Sequence, residues 1–186
     1  TIPSAVAALA LAAGAAAQDS GRETRTAIFA GGCFWCVEAD FDKLPGVVAT
    51  VSGYTGGDVV NPSYREVTAG DTGHREAVRI TYDPDAITYE TLVEAFFRTV
   101  DPTDAGGQFC DRGFSYTTAI YPTSADQRAI AQRERAEAAE ALGREIVTPV
   151  ETAGPFYEAE DYHQDYYEKN PIQYRFYKEG CGRVRR

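Results

Sequence analysis

The chain has 186 residues, and its 28 acidic and 18 basic side chains give a formal net charge of −10. An apolar content of 44%, with 12% aromatic residues, is enough to build a folded core and excludes wholesale disorder. The acidity argues against nucleic acid and anionic membranes as partners. There is no methionine, and the four cysteines are too few for a disulfide scaffold but enough for redox chemistry or one metal site.

Residues 1–18 are almost wholly small and apolar, carry no charge, and are followed by a polar run that starts at Asp19. The Ala-x-Ala pattern at residues 15–17 is typical of the end of a secretory signal peptide, although a membrane span is the alternative that the length allows. We expect residues 1–17 to be the remnant of a signal peptide whose start has been trimmed. In that case the mature protein, residues 18–186, is exported to the periplasm. If residues 1–17 are not a signal peptide, we expect a cytoplasmic protein.

Five short β-rich runs bounded by turn residues predict strands. They are residues 26–30, 47–53, 77–82, 117–121 and 145–150. Helical patterns cover 33–41 and 89–99, and a third helix is expected to open at a capping box of Ser124 and Gln127 and to close at Gly143. Strands separated by helices predict a single α/β (α+β) domain, a two-layer sandwich of helices on a central mixed β-sheet. Beyond Gly154 the chain is rich in aromatic residues, as in a tail that wraps a core.

The most informative stretch is residues 30–38, AGGCFWCVE, where a strand passes through two glycines into a helix that starts at Cys33. Amide groups at a helix N-terminus stabilise negative charge, so we expect a depressed pKa and a reactive thiolate at Cys33. Phe34 and Trp35, the only tryptophan, lie beside this thiol. They indicate an apolar wall for a small uncharged group, with an ordinary core role as the alternative.

Cys36 completes a Cys-x-x-Cys pattern with Cys33. A haem attachment site is excluded because Val37, and not histidine, follows the second cysteine. A zinc site would need Cys110 and Cys181 as further ligands, and these lack the paired spacing of structural zinc sites. Dithiol exchange of the thioredoxin type and a plain structural disulfide both remain open.

Two further segments offer groups that could serve a reactive thiol. Tyr54 lies in the loop-forming stretch SGYTGG, residues 52–57, and Glu76 lies at the entrance of a strand. Burial there would raise the pKa of Glu76 and keep it a neutral proton donor, whereas the plain alternative is a surface residue paired with Arg75. His74 is expected to be a hydrogen-bonded structural residue.

A second glycine-rich loop spans residues 106–116 and carries Asp111, Tyr116 and the thiol of Cys110. Near the end, Cys181 lies between two glycines on what reads as a mobile tail. Such a thiol can travel to meet another one.

Five blocks now stand in order along the chain. They are GCFW at 32–35, SGYTGG at 52–57, GHREAV at 73–78, DRGFSY at 111–116 and YHQDY at 162–166. They resemble the signature blocks of peptide methionine sulfoxide reductase A and span about residues 26–181. The resemblance implies a two-layer α/β fold and reduction of the S epimer of methionine sulfoxide, free or in proteins. It also implies that no cofactor is bound and that thioredoxin or another dithiol is the external reductant.

The resemblance also implies roles for individual residues. Cys33 would attack the sulfoxide sulfur, and Glu76 would protonate the oxygen. The remaining groups would hold the substrate: Tyr54 and Tyr116 by polarising the S–O bond, Asp111 by orienting the site, and Phe34 and Trp35 by enclosing the methyl group.

The sulfenic acid left on Cys33 must then condense with a second thiol. Some members of the family use a residue in the helix after the nucleophile and others use the tail, and both are present here as Cys36 and Cys181. We expect the two to act in relay, with Cys181 as the final carrier in a C-terminal resolving tail and Cys110 as a bystander. We expect a monomer. Two other functions are the alternatives to the reductase: a dithiol–disulfide exchange protein, and a catalytically silent binding module for oxidised methionine.

Overall fold

A computed structural model of the chain describes residues 23–183. The expected signal peptide, residues 1–17, lies outside the described residues and stays a prediction. Within residues 23–183, no helix is both long and apolar enough to cross a bilayer.

A five-stranded sheet forms one layer, with the strands in the order β6-β1-β3-β2-β7. Its strands are β1 (Arg25–Gly31), β2 (Val47–Thr55), β3 (Arg75–Tyr82), β6 (Thr118–Ile120) and β7 (Tyr157–Glu158). Two short strands, β4 (Gly107–Gln108) and β5 (Asp111–Arg112), pair in a separate hairpin. The α/β class and the single domain are confirmed. Every described strand pair is antiparallel, and the expected mixture of directions reduces to one parallel bridge, between Ile120 and Val150.

Helices pack on the sheet and extend beyond it. They are α1 (Phe34–Phe41), α2 (Tyr64–Ala69), α3 (Tyr89–Thr99), α4 (Ala125–Leu142), α5 (Tyr166–Lys169) and α6 (Pro171–Gly180). Phe29 of β1 lies between α1 and α3, with its ring stacked on Phe41 at 5.3 Å and on Phe96 at 5.2 Å. This aromatic contact fixes α1, and therefore Cys33, against the middle of the sheet.

The start of α4 at Ser124 matches the predicted capping box only in part. The Ser124 hydroxyl accepts the Gln127 N–H, but the Gln127 side chain turns away and donates to the carbonyl of Thr26 at 2.7 Å. Only half of the expected capping box therefore forms. The Gln127 side chain does not bond back to the Ser124 N–H and instead links α4 to β1. A reciprocal capping box does form at Ser63 and Glu66, where it opens α2.

The C-terminal segment wraps the core as its aromatic content indicates. Tyr166 and Tyr167 of α5 and Tyr174 and Tyr177 of α6 pack around Cys36 and Ala39. This layer lies over the start of α1 and supplies part of the site described next.

Candidate active site

The nucleophile candidate Cys33 lies where β1 turns into α1. Gly32 has a φ of 80°, and a Cβ at this position would come within 2.6 Å of the Gln108 side chain, so the turn needs glycine. Cys33 is the residue that caps α1, and its carbonyl accepts the N–H groups of Cys36 and Val37. Its side chain is only 5% exposed.

The thiols of Cys33 and Cys36 form one hydrogen-bonded pair. Burial raises the pKa of Cys33, and the bond to Cys36 and the charge of Glu76 raise it further. The same bond lowers the pKa of Cys36, which also lies near Arg183 and Lys178. The expectation of a depressed pKa at Cys33 is wrong for this arrangement, because removal from water outweighs the field of a helix only 8 residues long.

Glu76 has the burial that its place at the start of β3 suggested. The side chain is 1% exposed, and its Oε2 accepts the backbone N–H of Phe34 at 2.9 Å. Burial raises the pKa of Glu76 to about 8, so the carboxyl is mostly neutral at pH 7. The alternative of an ion pair with Arg75 does not apply, since the Arg75 guanidinium pairs with Glu151 at 2.8 Å.

The two tyrosines singled out from the sequence lie close to Glu76 but have different partners. Tyr54 is paired with Glu76 across β2 and β3, and its hydroxyl donates to Glu160 at 2.8 Å. Tyr116 hydrogen-bonds with Tyr64, which the sequence did not single out. Burial raises the pKa of both Tyr54 and Tyr116, so both hydroxyls stay protonated donors.

An aromatic wall stands beside the thiol. The Trp35 ring stacks on Tyr166 with 3.7 Å between centroids, and its Nε1–H donates to His163 Nδ1 at 3.0 Å. The Phe34 ring lies 5.0 Å from the His163 ring and is fully buried in the main core, whereas Trp35 is half-buried. Burial lowers the pKa of His163, which keeps the wall uncharged. The sequence reasoning missed His163 and Tyr166 as wall residues although both stand in a quoted block.

Asp111 connects the glycine-rich loop to the last helix. Its carboxylate accepts a hydrogen bond from the hydroxyl of Tyr177, and the same hydroxyl lies next to the Cys33 thiol. Burial raises the pKa of Asp111, and the charge of Arg183 opposes that shift. The structure thus brings Tyr177 to the nucleophile, and no sequence signal separated it from the other tyrosines of the tail.

The remaining two cysteines are bonded to each other. A disulfide joins Cys110 and Cys181 across 71 residues with 5.0 Å between their Cα atoms, while Cys33 and Cys36 are free. The prediction that Cys110 is a bystander is wrong. Cys110 is exposed and Cys36 is fully buried, so only the first of these two sulfurs is within reach of another protein.

Two other features of the described residues do not include the nucleophile. A group with metal-ligand spacing consists of Cys110, Asp111 and Cys181, but its two sulfurs are joined in the disulfide. A cavity of about 310 Å³ is bounded by Phe41, Arg183 and their neighbours and has neither Cys33 nor Glu76 in its lining. The chemistry therefore centres on the start of α1.

Comparisons with known proteins agree with this geometry. A family model described as peptide methionine sulfoxide reductase matches residues 25–186. Peptide methionine sulfoxide reductase MsrA 2 of Rhizobium meliloti is 57% identical over 163 residues, which cover 88% of this chain and 81% of the relative.

Two solved structures share the fold. The reduced form of Mxr1 from Saccharomyces cerevisiae is 32% identical with a TM-score of 0.77, and the match covers 80% of this chain and 87% of that one. Mxr1 in complex with Trx2 is 23% identical with a TM-score of 0.55, and the match covers 77% and 84% of the two chains.

Proposed function

The chain belongs to the peptide methionine sulfoxide reductase family, and from this premise we propose that it reduces the S epimer of methionine sulfoxide, free or in proteins, to methionine. One observation carries the proposal. The thiol of Cys33, the neutral carboxyl of Glu76 and an uncharged aromatic wall meet at the start of α1. A sulfoxide needs these three things: a nucleophile for its sulfur, a proton for its oxygen and an apolar place for its methyl group.

Glu76 acts as the acid. The Phe34 N–H occupies its Oε2, which leaves Oε1 to carry the proton that the sulfoxide oxygen takes. The Cys33 sulfur gives up its proton and bonds to the substrate sulfur. The protonated oxygen then moves to the Cys33 sulfur as its bond to the substrate and the new S–S bond break, which leaves a sulfenic acid on Cys33 and releases methionine. With the pKa of Glu76 at about 8, this proton is available at neutral pH.

The substrate is held by the surrounding side chains. Phe34 and Trp35 enclose the methyl group, and Asp111 orients the site. The Tyr116 hydroxyl donates to Tyr64, so it can donate its one proton to the sulfoxide oxygen only by giving up that bond. Tyr54 can do the same only by giving up its bond to Glu160.

Electrons leave the site through a relay. Cys36 lies one helical turn from Cys33, and its thiol condenses with the sulfenic acid to a disulfide and water. Because Cys36 is fully buried, a protein dithiol does not reach it. The Cys181 thiolate attacks the Cys36 sulfur and releases Cys33 as a thiol. The Cys110 thiolate then attacks the Cys181 sulfur and releases Cys36, which restores two thiols on α1 and leaves the Cys110–Cys181 bond.

A thioredoxin-like dithiol, and no bound cofactor, then reduces the exposed bond. The complex of the similar protein Mxr1 with Trx2 supports a partner of this class. The alternative of a dithiol exchange protein acting through Cys33 and Cys36 is disfavoured, because those thiols are only 5% and 0% exposed and cannot meet a protein disulfide.

Cellular location and assembly belong to the same proposal. The composition of residues 1–17 supports export to the periplasm, and a site that must accept varied peptides supports a monomer. Cell fractionation and gel filtration test these two points. Protein found only in the cytoplasm would overturn the first, and a stable dimer would overturn the second.

The activity is tested with racemic methionine sulfoxide and dithiothreitol, by following each epimer on a chiral column. The S epimer should disappear and the R epimer should persist. Loss of neither epimer, or loss that survives Cys33→Ser, would overturn the proposed function.

A further inference from the structure

Helix α6 covers the nucleophile. The Tyr177 hydroxyl donates to Asp111 and lies next to the Cys33 thiol, and Tyr174 packs against Cys36. With α6 in this position, Cys33 is 5% exposed and Glu76 is 1% exposed. A sulfoxide must bring its sulfur to Cys33 and its oxygen to Glu76, so it has to take the place of the Tyr177 hydroxyl.

The end of α6 is attached to the rest of the protein mainly at one covalent point. Cys181 follows the helix directly and is bonded to Cys110, next to the Asp111 that binds Tyr177. The other attachments are the packing of Tyr174 and Tyr177 on α1 and polar contacts, among them Lys178 with Asp40 at 3.0 Å and Arg183 with the carbonyl of Gly31 at 3.0 Å. Polar contacts of this kind open locally far more easily than a covalent bond.

The chain on either side of Cys181 is built to move. Gly180 and Gly182 flank the cysteine, and a side chain at either position would meet nothing within 4 Å. Gly182 has a φ of 70°, a conformation that only glycine adopts freely. Once Cys181 is released, this stretch has both the room and the backbone freedom to swing.

We propose that the Cys110–Cys181 disulfide is a latch as well as an electron carrier: while it is formed it holds Tyr177 over Cys33 and shuts the site, and its reduction frees α6 and admits substrate. This inference rests on the proposed function. The balance of the opening step is simple, since an external dithiol gives two electrons and two protons to the Cys110–Cys181 bond and becomes a disulfide itself.

The latch prevents a dead end. If a second sulfoxide reacted while Cys110 and Cys181 were still bonded, the new disulfide between Cys33 and Cys36 would have no thiol to accept its oxidation. Cys36 is fully buried, so a protein reductant would not reach that disulfide either. Closing the site until the carrier has been reduced keeps the buried pair in its thiol form, as the structure shows it.

Alkylation of Cys33 tests the latch without any sulfoxide. The wild-type protein is prepared with the Cys110–Cys181 bond formed and, separately, fully reduced, and the rate at which iodoacetamide labels Cys33 is followed by peptide mass spectrometry. Labelling should be slower by roughly tenfold or more when the disulfide is formed. Equal rates would overturn the latch, and the comparison uses one sequence, so no substitution can produce the result.

Counting methionine in the absence of reductant gives a second test. The chain holds two thiol pairs when fully reduced. With a latch, the fully reduced protein forms one methionine per chain and the protein with its carrier disulfide formed makes none. Without a latch, the fully reduced protein forms two methionines per chain and the protein with its carrier disulfide formed makes one. Those values would overturn the proposal.

Two substitutions sharpen the count. Tyr177→Ala should let the protein with a formed carrier disulfide make one methionine, whereas Phe176→Ala, at the neighbouring position that is 66% exposed, should keep the count at zero. If the fully reduced wild type forms no methionine at all, the proposed function fails. The labelling rates still decide the latch in that case.

Discussion

The two cysteine pairs of this protein differ in almost every physical respect. Cys33 and Cys36 are free thiols buried at the start of α1, whereas Cys110 and Cys181 are bonded at a surface that other proteins can touch. Proton transfer from Glu76 needs a dry environment, because burial is what raises the pKa of that carboxyl. Exchange with a protein dithiol needs exposure. One pair cannot meet both demands, and the chain assigns them to two pairs, the second of which joins cysteines 71 residues apart in sequence.

The largest effect is expected from removing the nucleophile of the buried pair. Cys33→Ser should lower sulfoxide reduction by roughly 10³-fold or more, since a hydroxyl at this position is a far poorer nucleophile than a thiolate. Methionine formed per chain, measured by chromatography, checks this. Cys110→Ser is the matched control and should still form its first methionine. The buried pair would have its roles reversed if Cys33→Ser stayed active and Cys36→Ser did not.

Glu76→Gln should give the next largest effect. The amide keeps the shape of the side chain but supplies no proton, so kcat should fall by roughly 10²–10⁴-fold. In the wild type, kcat/KM should also decline as the pH rises through about 8, because the protonated form of Glu76 is lost there. The variant should lack this decline. A variant with wild-type kcat and an unchanged alkaline limb would show that another group is the acid.

The exposed pair is tested by changing its reductant. Cys110→Ser and Cys181→Ser should each lower turnover with thioredoxin by roughly tenfold or more, while turnover with dithiothreitol stays within a few-fold of wild type. Each should also lose about 2–4 kcal/mol of unfolding free energy, since the cross-link closes a long loop. Full thioredoxin-linked turnover in both variants would mean that the exposed pair carries no electrons.

A smaller effect is expected at the aromatic wall. Trp35→Phe removes the hydrogen bond to His163 and part of the stack on Tyr166, and KM should rise by roughly 2- to 10-fold with little change in kcat. Tyr162→Phe, at a neighbouring aromatic position that is 60% exposed, is the control. A fall in kcat without a change in KM would place Trp35 in the chemistry and not in binding.

The smallest effect concerns the pH dependence of the free energy of unfolding, through the carboxyl of Glu38 on α1. Burial raises the pKa of Glu38 to about 8, and its carboxylate accepts the N–H of Asp165. Because the folded protein binds this proton more tightly than the unfolded chain, the contribution is complete at low pH and is lost as the pH rises through about 8. Glu38→Gln should therefore flatten the decline of unfolding free energy between pH 6 and pH 9.

Urea unfolding of both proteins at the two pH values measures this, and the change should be on the order of 1 kcal/mol. Part of the decline should remain, since the pKa of Glu76 is raised in the same direction. The exposed substitution Glu94→Gln should leave the wild-type pH dependence in place. A wild-type protein whose stability increases from pH 6 to pH 9 would contradict the assignment.

Elements with a strong local pattern could be predicted from the sequence. The pattern over residues 89–99 matches α3, and the predicted helix at 33–41 matches α1 to within one residue, because apolar spacing and capping are local properties. Residues 145–150 were expected to form a strand, and only Val150 bridges Ile120. The short helices α2, α5 and α6 were not predicted. Helices of 4 to 10 residues are marginal alone and depend on their tertiary contacts.

The candidate site shows the same division. The sequence blocks pointed to Cys33 and Glu76 and to the wall of Phe34 and Trp35, whose positions follow from the ends of β1 and β3. The pKa of Cys33 was given the wrong direction, because helix position is visible in a sequence and the depth of burial is not. Tyr177 was not distinguished from the other tyrosines of the tail.

What the sequence by itself determined is the chemistry available at the start of α1: a cysteine after two glycines, next to aromatic residues, in a chain with a carboxyl at a strand entrance. What only the tertiary structure decided is which groups meet across long stretches of chain. Cys110 pairs with Cys181, and the Tyr177 hydroxyl lies between Asp111 and Cys33. Local patterns follow from neighbouring residues along the backbone, whereas these contacts exist only because the sheet and α6 bring distant segments together.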